Sequence, residues 1–466
     1  MTASLVPAPA AAAVMAGRSA AVSAALGELG GRTVSWFRLE GGKHRGAIGV
    51  AEGEALERAV RMGIELGVPV VGVVSTSGAD VGEGVAALHA WGRVARALTD
   101  ASGVVPTLLA VVGPCVSGPA LLLGLADHVV MTDDAFAYVS GPDTVEAFTG
   151  VPTTRAALGG ATVHGERSGV AALVVGDEDD ARNALATLLA YLPANNLDDP
   201  PRATDLEPVD RDCTAAAEAV PARAAASYDV RIVVADVLDR ESFLELRSGY
   251  APNMVTGLAR LDGRPVGVIA NQPARRAGTL DIEASRKAAR FVQWCDAFNL
   301  PLVTFVDTPG YEPGRDLEWR GMIRHGAELV HAYAAATVPR LSVVLRKAYG
   351  GAYIVMDSRR LGNDWCVAWP GAEIAVMGAA GAVQILHGRR LAAISDEADR
   401  AREHAALVEE YEARFSNPVA AAERGYIDDV IAATDTRRAL AAALDRLVTK
   451  REAVPPRPGR HSNTPL

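Results

Sequence analysis

The chain has four cysteines, at positions 115, 213, 295 and 366, and no two are close enough to make a C-x-x-C pair. That removes the usual zinc pattern and any disulfide framework, and it fits a reducing cytoplasm. The nine histidines are equally scattered, with neither H-E-x-x-H nor a tight His/Cys cluster, so no metal site is expected. An excess of basic residues is missing too. The formal net charge of −10 argues against nucleic acid or an anionic membrane as the main partner. Residues 1–17 contain no Lys or Arg, so the basic start of a signal peptide is lacking. There is no G-x-x-x-x-G-K-[ST] loop, no G-x-G-x-x-G after a strand and no G-x-S-x-G elbow, which excludes the commonest phosphate, dinucleotide and serine-hydrolase readings. Residues 101–126 carry no charge and are long enough to span a bilayer. Pro106, Gly113, Pro114, Gly118, Pro119 and Gly124 punctuate them, however, so a strand, a turn and a helix in a soluble core are expected there.

What is present is order, and the order repeats. Gly30-Gly31 opens a strand, a helical run covers 52–66, and residues 68–74 form the continuous apolar run of a strand covered on both faces. A small-residue loop (75–80), a helix through 98 and a second buried strand (106–112) follow, with a turn over 114–119. Downstream the same landmarks return. Gly31 and Gly263, Gly46 and Gly278, and Pro69 and Pro301 share one identical spacing, and Pro106 and Pro339 keep it but for a single insertion. Three aligned landmarks without an insertion point to two copies of one βα unit, hence to an α/β fold with both sheet faces covered. The expected organisation is an irregular lead-in at 1–25, a first domain at 26–212 and a second at 213–466. A Pro/Asn-rich surface connection (191–212) joins the copies, and a charged helix (396–415) and a basic tail (450–466) close the chain.

The stretch 346–356 carries the strongest chemical signal. Residues 342–345 are a short β-branched run and 352–360 can carry a helix, with Gly350-Gly351 at the turn between them. A tight strand-to-helix turn aims several main-chain N–H groups at one point and adds the positive end of the helix dipole. That is the anatomy of an oxyanion hole. Close packing within an α/β core would use the same glycine pair.

At this point the residues resemble a known family. The stretch 346–356, Phe305-Val306-Asp307-Thr308-Pro309-Gly310-Tyr311, Ala251-Pro252-Asn253-Met254-Val255-Thr256-Gly257, Tyr191-Leu192-Pro193-Ala194-Asn195-Asn196, residues 368–378 and the ending 460–466 are similar to the carboxyltransferase β subunit of biotin-dependent acyl-CoA carboxylases. The likeness runs from about residue 28 onward and is greatest to the short acetyl- and propionyl-CoA type of actinobacteria. It implies two tandem crotonase-like domains, a hexamer, and a biotin carboxylase/biotin carrier α subunit as partner. The resemblance also implies transfer of CO2 from carboxybiotin to the α-carbon of a short acyl-CoA, through two enolates held in two backbone oxyanion holes. By analogy Gly351 and Ala352 would serve the biotin side, Gly350 and Tyr353 would bind substrate, and Ile354 lies where the family tunes acyl-chain size, an apolar residue there admitting short acyl groups. Ser117 and Gly118 would serve the thioester, with Gly78 and Ala79 near the CoA. The first copy departs from the family's Ala-Gly-Gly-Ala turn: it reads Val116-Ser117-Gly118-Pro119, and Pro119 has no N–H. Asp80 stands where the family has a base. Alternative expectations are a decarboxylase or carboxylase of a carrier-bound acyl group in secondary metabolism, and a weak paralogue completing a mixed hexamer beside another β subunit.

Overall fold

The computed structural model describes residues 15–450 apart from Lys43 and Ala224, so the basic tail beyond Lys450 lies outside the described residues. Two compact units emerge, one built mainly from the chain up to Pro201 and one mainly from Arg202 onward. The junction therefore falls at Pro201/Arg202, whereas composition places it at 212/213. The intervening residues are tied to the second unit: Ala203 N–H donates to Gly263 O at 2.8 Å, and Arg211 Nη1 to Asp236 Oδ1 at 3.0 Å.

The first unit contains β1 (Met15–Arg18), β2 (Val22–Leu29), β3 (Arg32–Leu39), β4 (Val70–Thr76), β5 (Thr107–Val116), β6 (His128–Thr132), β7 (Phe136–Tyr138) and β8 (Ala171–Val175). Their order is β1-β2-β3-β4-β5-β6-β8, with β7 added on β5. Strands rather than irregular chain thus occupy most of 15–25, and the rest of the expected lead-in lies outside the described residues. An Ala-rich composition hides the strand pattern there. Val22, Ala24, Ala25 and Leu29 are buried, and the hairpin closes through Gly30 and Gly31 into β3.

The second unit repeats this plan with β9 (Leu244–Leu246), β10 (Met254–Leu261), β11 (Arg264–Asn271), β12 (Leu302–Thr308), β13 (Arg340–Tyr349), β14 (Trp365–Ala368), β15 (Glu373–Ala375) and β16 (Asp429–Val430). Its order is β9-β10-β11-β12-β13-β14-β16, with β15 on β13. The pairings of β1 with β2, β2 with β3 and β10 with β11 are antiparallel; from β3 and from β11 onward the ladders run parallel. Such sheets need covering on both faces, and their inner strands read as unbroken apolar runs. Every residue of β12 is buried. The helices Val50–Leu66 and Val85–Ala101 in the first unit, and Ile282–Ala297 and Met322–Ala335 in the second, are the crossovers.

Register shows that the duplication is structural. Ser35 pairs with Val70 as Gly267 pairs with Leu302, and the two pairs are related by the same offset as the glycine and proline landmarks. Asp127 Oδ2 accepts from Thr107 N–H at 2.7 Å, and Asp364 Oδ2 from Arg340 N–H at 2.8 Å, pinning the start of β5 and of β13. Both of these strands fork. Leu108–Val111 pair with β6 and Pro114–Val116 with β7; Leu341–Val344 pair with β14 and Lys347–Tyr349 with β15. At the tip of each fork the chain turns into a helix. In the second unit this helix is Gly350–Val355, shorter than the run to 360 that composition allows. It stops because Asp357 takes a left-handed conformation (φ 59°) and anchors its buried carboxylate on Arg340 Nη1 and Asn363 Nδ2, at 3.0 and 2.8 Å.

Candidate functional site

In each unit two segments meet: the turn at the end of the forked strand, and the loop after the preceding strand. The loops share one hydrogen-bond pattern. In the first, Ile48 N–H donates to Gly78 O at 2.8 Å and Asp80 N–H to Ile48 O at 2.9 Å. In the second, Leu280 N–H donates to Gly310 O at 3.1 Å and Glu312 N–H to Leu280 O at 2.9 Å. Gly78 and Gly310 each donate to the Oγ1 of a nearby threonine, Thr76 at 3.1 Å and Thr308 at 3.4 Å. The N–H between these anchored positions belongs to Ala79 in one copy and Tyr311 in the other. A parallel bridge takes the carbonyl of the residue before and the N–H of the residue after, so the Ala79 and Tyr311 N–H groups face away from it, with no partner among the described residues. Tyr311 is not among the candidates read from sequence, although the repeat offset leads directly to it from Ala79.

At the second unit's turn, Gly350 has φ 59° and carries the reversal; Gly351 does not need positive φ. A Cβ on Gly350 would lie 3.1 Å from Val376 O. Gly350, Gly351 and Ala352 are the first residues of the helix, whose opening amides have no intrahelical acceptor, and no side chain caps them. Gly351 is exposed and Ala352 buried beneath it. Gly350, Gly351, Tyr353 and Ile354 share a cleft of about 440 Å³ whose other walls include Ile374, Tyr411, Phe415 and Tyr426. Ile354 keeps 45 % of its surface exposed there, while Tyr353 is buried. Burial also pushes the Tyr311 phenol up to about 12.

Below this turn lies a buried ionic network that local sequence pattern does not reveal. Asp307 Oδ2 accepts from Arg346 Nε at 3.0 Å and from Tyr228 Oη at 2.9 Å, and Asp307 Oδ1 accepts from Lys347 N–H at 3.2 Å. Arg346 Nη1 donates to Ala226 O and Arg223 O at 2.8 and 3.0 Å, and its guanidinium lies over the Tyr228 ring. Burial raises the Asp307 carboxyl, and Arg346 draws it partly back. The network joins the ends of β12 and β13, which fixes the loop against the turn. In the first unit the matching positions are Ser75 and Gly113, so the network is absent from that copy.

The first unit's turn differs from expectation in one respect. The ladder between β5 and β7 runs past the end of the apolar pattern, so Ser117 N–H donates to Tyr138 O at 2.9 Å. That amide is committed to the sheet and cannot serve an oxyanion. Gly118 N–H has no partner among the described residues, and Pro119 has no amide to offer. Ser117 itself adopts φ 65°, ψ −155°, a region that is nearly exclusive to glycine and costs about 1–3 kcal/mol for other residues. Gly350 holds the same place in the second copy without that cost. Asp80 is occupied locally: it accepts from His44 Nδ1 and from Gly82 N–H, both at 2.9 Å. These contacts, His44 first, hold its carboxyl below the usual range. The pair His44–Asp80 recurs at the same offset as Arg276–Glu312, 3.1 Å apart.

Among the described residues no group of His, Cys, Asp and Glu could hold a metal ion, and no helix is long and apolar enough to cross a membrane.

Comparison with known proteins gives concordant results. Residues 8–461 match the carboxyl transferase domain family. The carboxyltransferase subunit of propionyl-CoA carboxylase from Haloferax mediterranei is 45 % identical over 441 residues, covering 94 % of this chain and 84 % of that protein. The propionyl-CoA carboxylase beta chain of Saccharopolyspora erythraea is 44 % identical over 454 residues, covering 94 % of this chain and 82 % of its own. The crystal structure of the transcarboxylase 12S hexamer with methylmalonyl-coenzyme A and methylmalonic acid bound superposes with a TM-score of 0.91. It is 39 % identical and covers 96 % of this chain and 85 % of that chain.

Proposed function

Because this chain belongs to the carboxyl transferase domain family, we propose a division of labour between its two copies in moving a carboxyl group between biotin and the α-carbon of a short acyl-CoA. The chain is a carboxyltransferase of the propionyl-CoA carboxylase type with a crotonase-like fold. What supports the division is that, at one repeat offset, a loop with an unpartnered amide (Ala79, Tyr311) lies beside a turn with an open amide (Gly118, Gly351): a Cβ on Gly78 would sit 3.0 Å from Ser117 Cβ, and one on Gly351 3.7 Å from the Tyr311 ring. Each pair can stabilise one enolate oxygen, and this reaction develops negative charge on two oxygens. Preorganised amides need no reorganisation as that charge appears.

Biotin, carboxylated on a carrier subunit, supplies the carboxyl group. The second copy's cleft suits its fused rings: Ile374, Phe415 and Tyr426 give apolar walls, the Gly351 amide would face the ureido oxygen, and Ile354 would meet the acyl chain at the cleft's edge. The first copy would hold the thioester oxygen while the α-carbon gives up its proton. The Asp307–Arg346 pair keeps the second copy's loop and turn in register and touches no substrate. We extend to this chain the hexameric assembly reported for transcarboxylase 12S, together with a biotin-carrying α subunit as partner and a cytoplasmic location.

The test is incorporation of labelled bicarbonate into acetyl- and propionyl-CoA, using the chain with its biotin-carrying partner and ATP. Acid-stable label in the acyl-CoA is expected. Absence of label in every thioester tried, with stable association to another β subunit, would replace this reading with that of a weak paralogue, which the missing Pro119 amide favours.

A further inference from the structure

We propose that the Ser117 side-chain hydroxyl is a hydrogen-bond donor to the thioester oxygen, adding to the Ala79 and Gly118 amides on the side of the turn where Pro119 offers none. The inference rests on the reading of the first copy's turn as the thioester side of the site.

Three observations carry it. The Ser117 amide is spent on Tyr138 O at 2.9 Å and Pro119 has none, so the turn contributes only the Gly118 amide. The second copy meets the same geometric need with Gly350, whose φ of 59° matches the 65° of Ser117, and no side chain is required there for the fold. Glycine at 117 would relieve the backbone; a hydroxymethyl group is present instead, at a position where any side chain is strained.

The placement of that group is specific. Ser117 is exposed, and Oγ has no hydrogen-bond partner among the described residues. The side chain lies across the gap to the loop: a Cβ built on Gly78 would sit 3.0 Å from Ser117 Cβ and 3.7 Å from Ser117 Oγ. Gly78 has φ 109° and no side chain, so Ser117 reaches into the space between loop and turn. The Ser117 hydroxyl thus faces the loop at Gly78, the residue before Ala79, from the residue before Gly118. A hydroxyl rotates freely and donates to an oxygen as an amide does. No bond is made or broken at Ser117, and the proton stays on Oγ.

The experiment measures kcat and KM for propionyl-CoA carboxylation by the chain with its biotin-carrying partner, beside thermal unfolding of each variant. Ser117→Ala is expected to lower kcat about 10²-fold, the usual effect of losing one such donor, with KM for propionyl-CoA changed by less than about threefold. Ser117→Gly is expected to lose the same activity while its Tm rises, a combination that a purely structural serine would not give. Pro119→Ala, which adds an amide, is expected to recover about tenfold of the rate when placed on Ser117→Ala. Wild-type kcat in both Ser117 variants would overturn the proposal while leaving the assignment of the turn intact. A wild-type chain that carboxylates no acyl-CoA would instead overturn that assignment.

Discussion

Arg346 Nε lies 3.0 Å from Asp307 Oδ2, with both side chains buried, and the equivalent pair in the other copy is Gly113 and Ser75. The ion pair is therefore an addition to the shared plan, made in the copy whose turn has two adjacent glycines. Removing one partner leaves a buried, uncompensated charge. Arg346→Ala and Asp307→Ala should each destabilise the chain by about 3–5 kcal/mol, and the double variant by clearly less than the sum. Urea unfolding of the four proteins checks this. Additive losses would mean that the two side chains act independently.

The Gly351 amide can be removed without changing the fold's requirements. Proline is tolerated in the first turn of a helix, and its ring replaces the N–H. Gly351→Pro should reduce kcat about 10²–10³-fold at nearly unchanged Tm. Gly351→Ala serves as the folding control, since its Cβ would meet nothing closer than the Tyr311 ring at 3.7 Å. Full activity in the proline variant would remove this amide from the site.

Ile354 projects into the cleft with much of its side chain exposed. Shortening it enlarges the apolar space without exposing a buried polar group. Ile354→Ala should shift the ratio of kcat/KM for butyryl-CoA over propionyl-CoA upward about tenfold, the scale of one or two methylenes in an apolar pocket. A competition assay with both thioesters reads the ratio directly, and an unchanged ratio would place the acyl chain elsewhere.

Asp357 gives a pH signature. Burial pushes its carboxyl up to about 6, although Arg340 and Asn363 pull it down. The folded value lies above the ordinary 3.8, so ionisation opposes folding. The stability linked to this proton is present in full below about pH 4 and is lost as pH rises through about 6. Relative to Asp357→Asn, which does not titrate, the wild-type chain should lose stability between about pH 4 and pH 7 in urea unfolding. A wild-type advantage that grows with pH would show instead that the pair with Arg340 dominates.

Much of the fold was legible because glycine and proline mark positions that other residues cannot fill. Gly31, Gly46 and Pro69 kept their spacing in the second copy, and the α/β plan followed. The turn at Gly350-Gly351 was legible for the same reason. Other features depend on contacts between distant residues. The Ser117 amide is lost to β7, a strand too short to show any period. Arg346 meets Asp307 only because β12 and β13 end side by side, and an alanine-rich stretch concealed β1 and β2. The Ala79 and Tyr311 amides are backbone groups, indifferent to their own side chains, so no residue type announces them. The resemblance pointed to Ala79, and the repeat offset, applied from there, brings out Tyr311.

The forked strands have one more consequence. Each turn hangs from two ladders at once, β6 with β7 in one copy and β14 with β15 in the other, so it cannot be re-aimed unless both are broken. Neighbouring amides therefore differ sharply in their access to solvent protons. The Ser117 amide is locked into a ladder, while that of Gly118, one peptide bond away, is left open to whatever oxygen arrives. Rigidity and availability are divided within a single dipeptide.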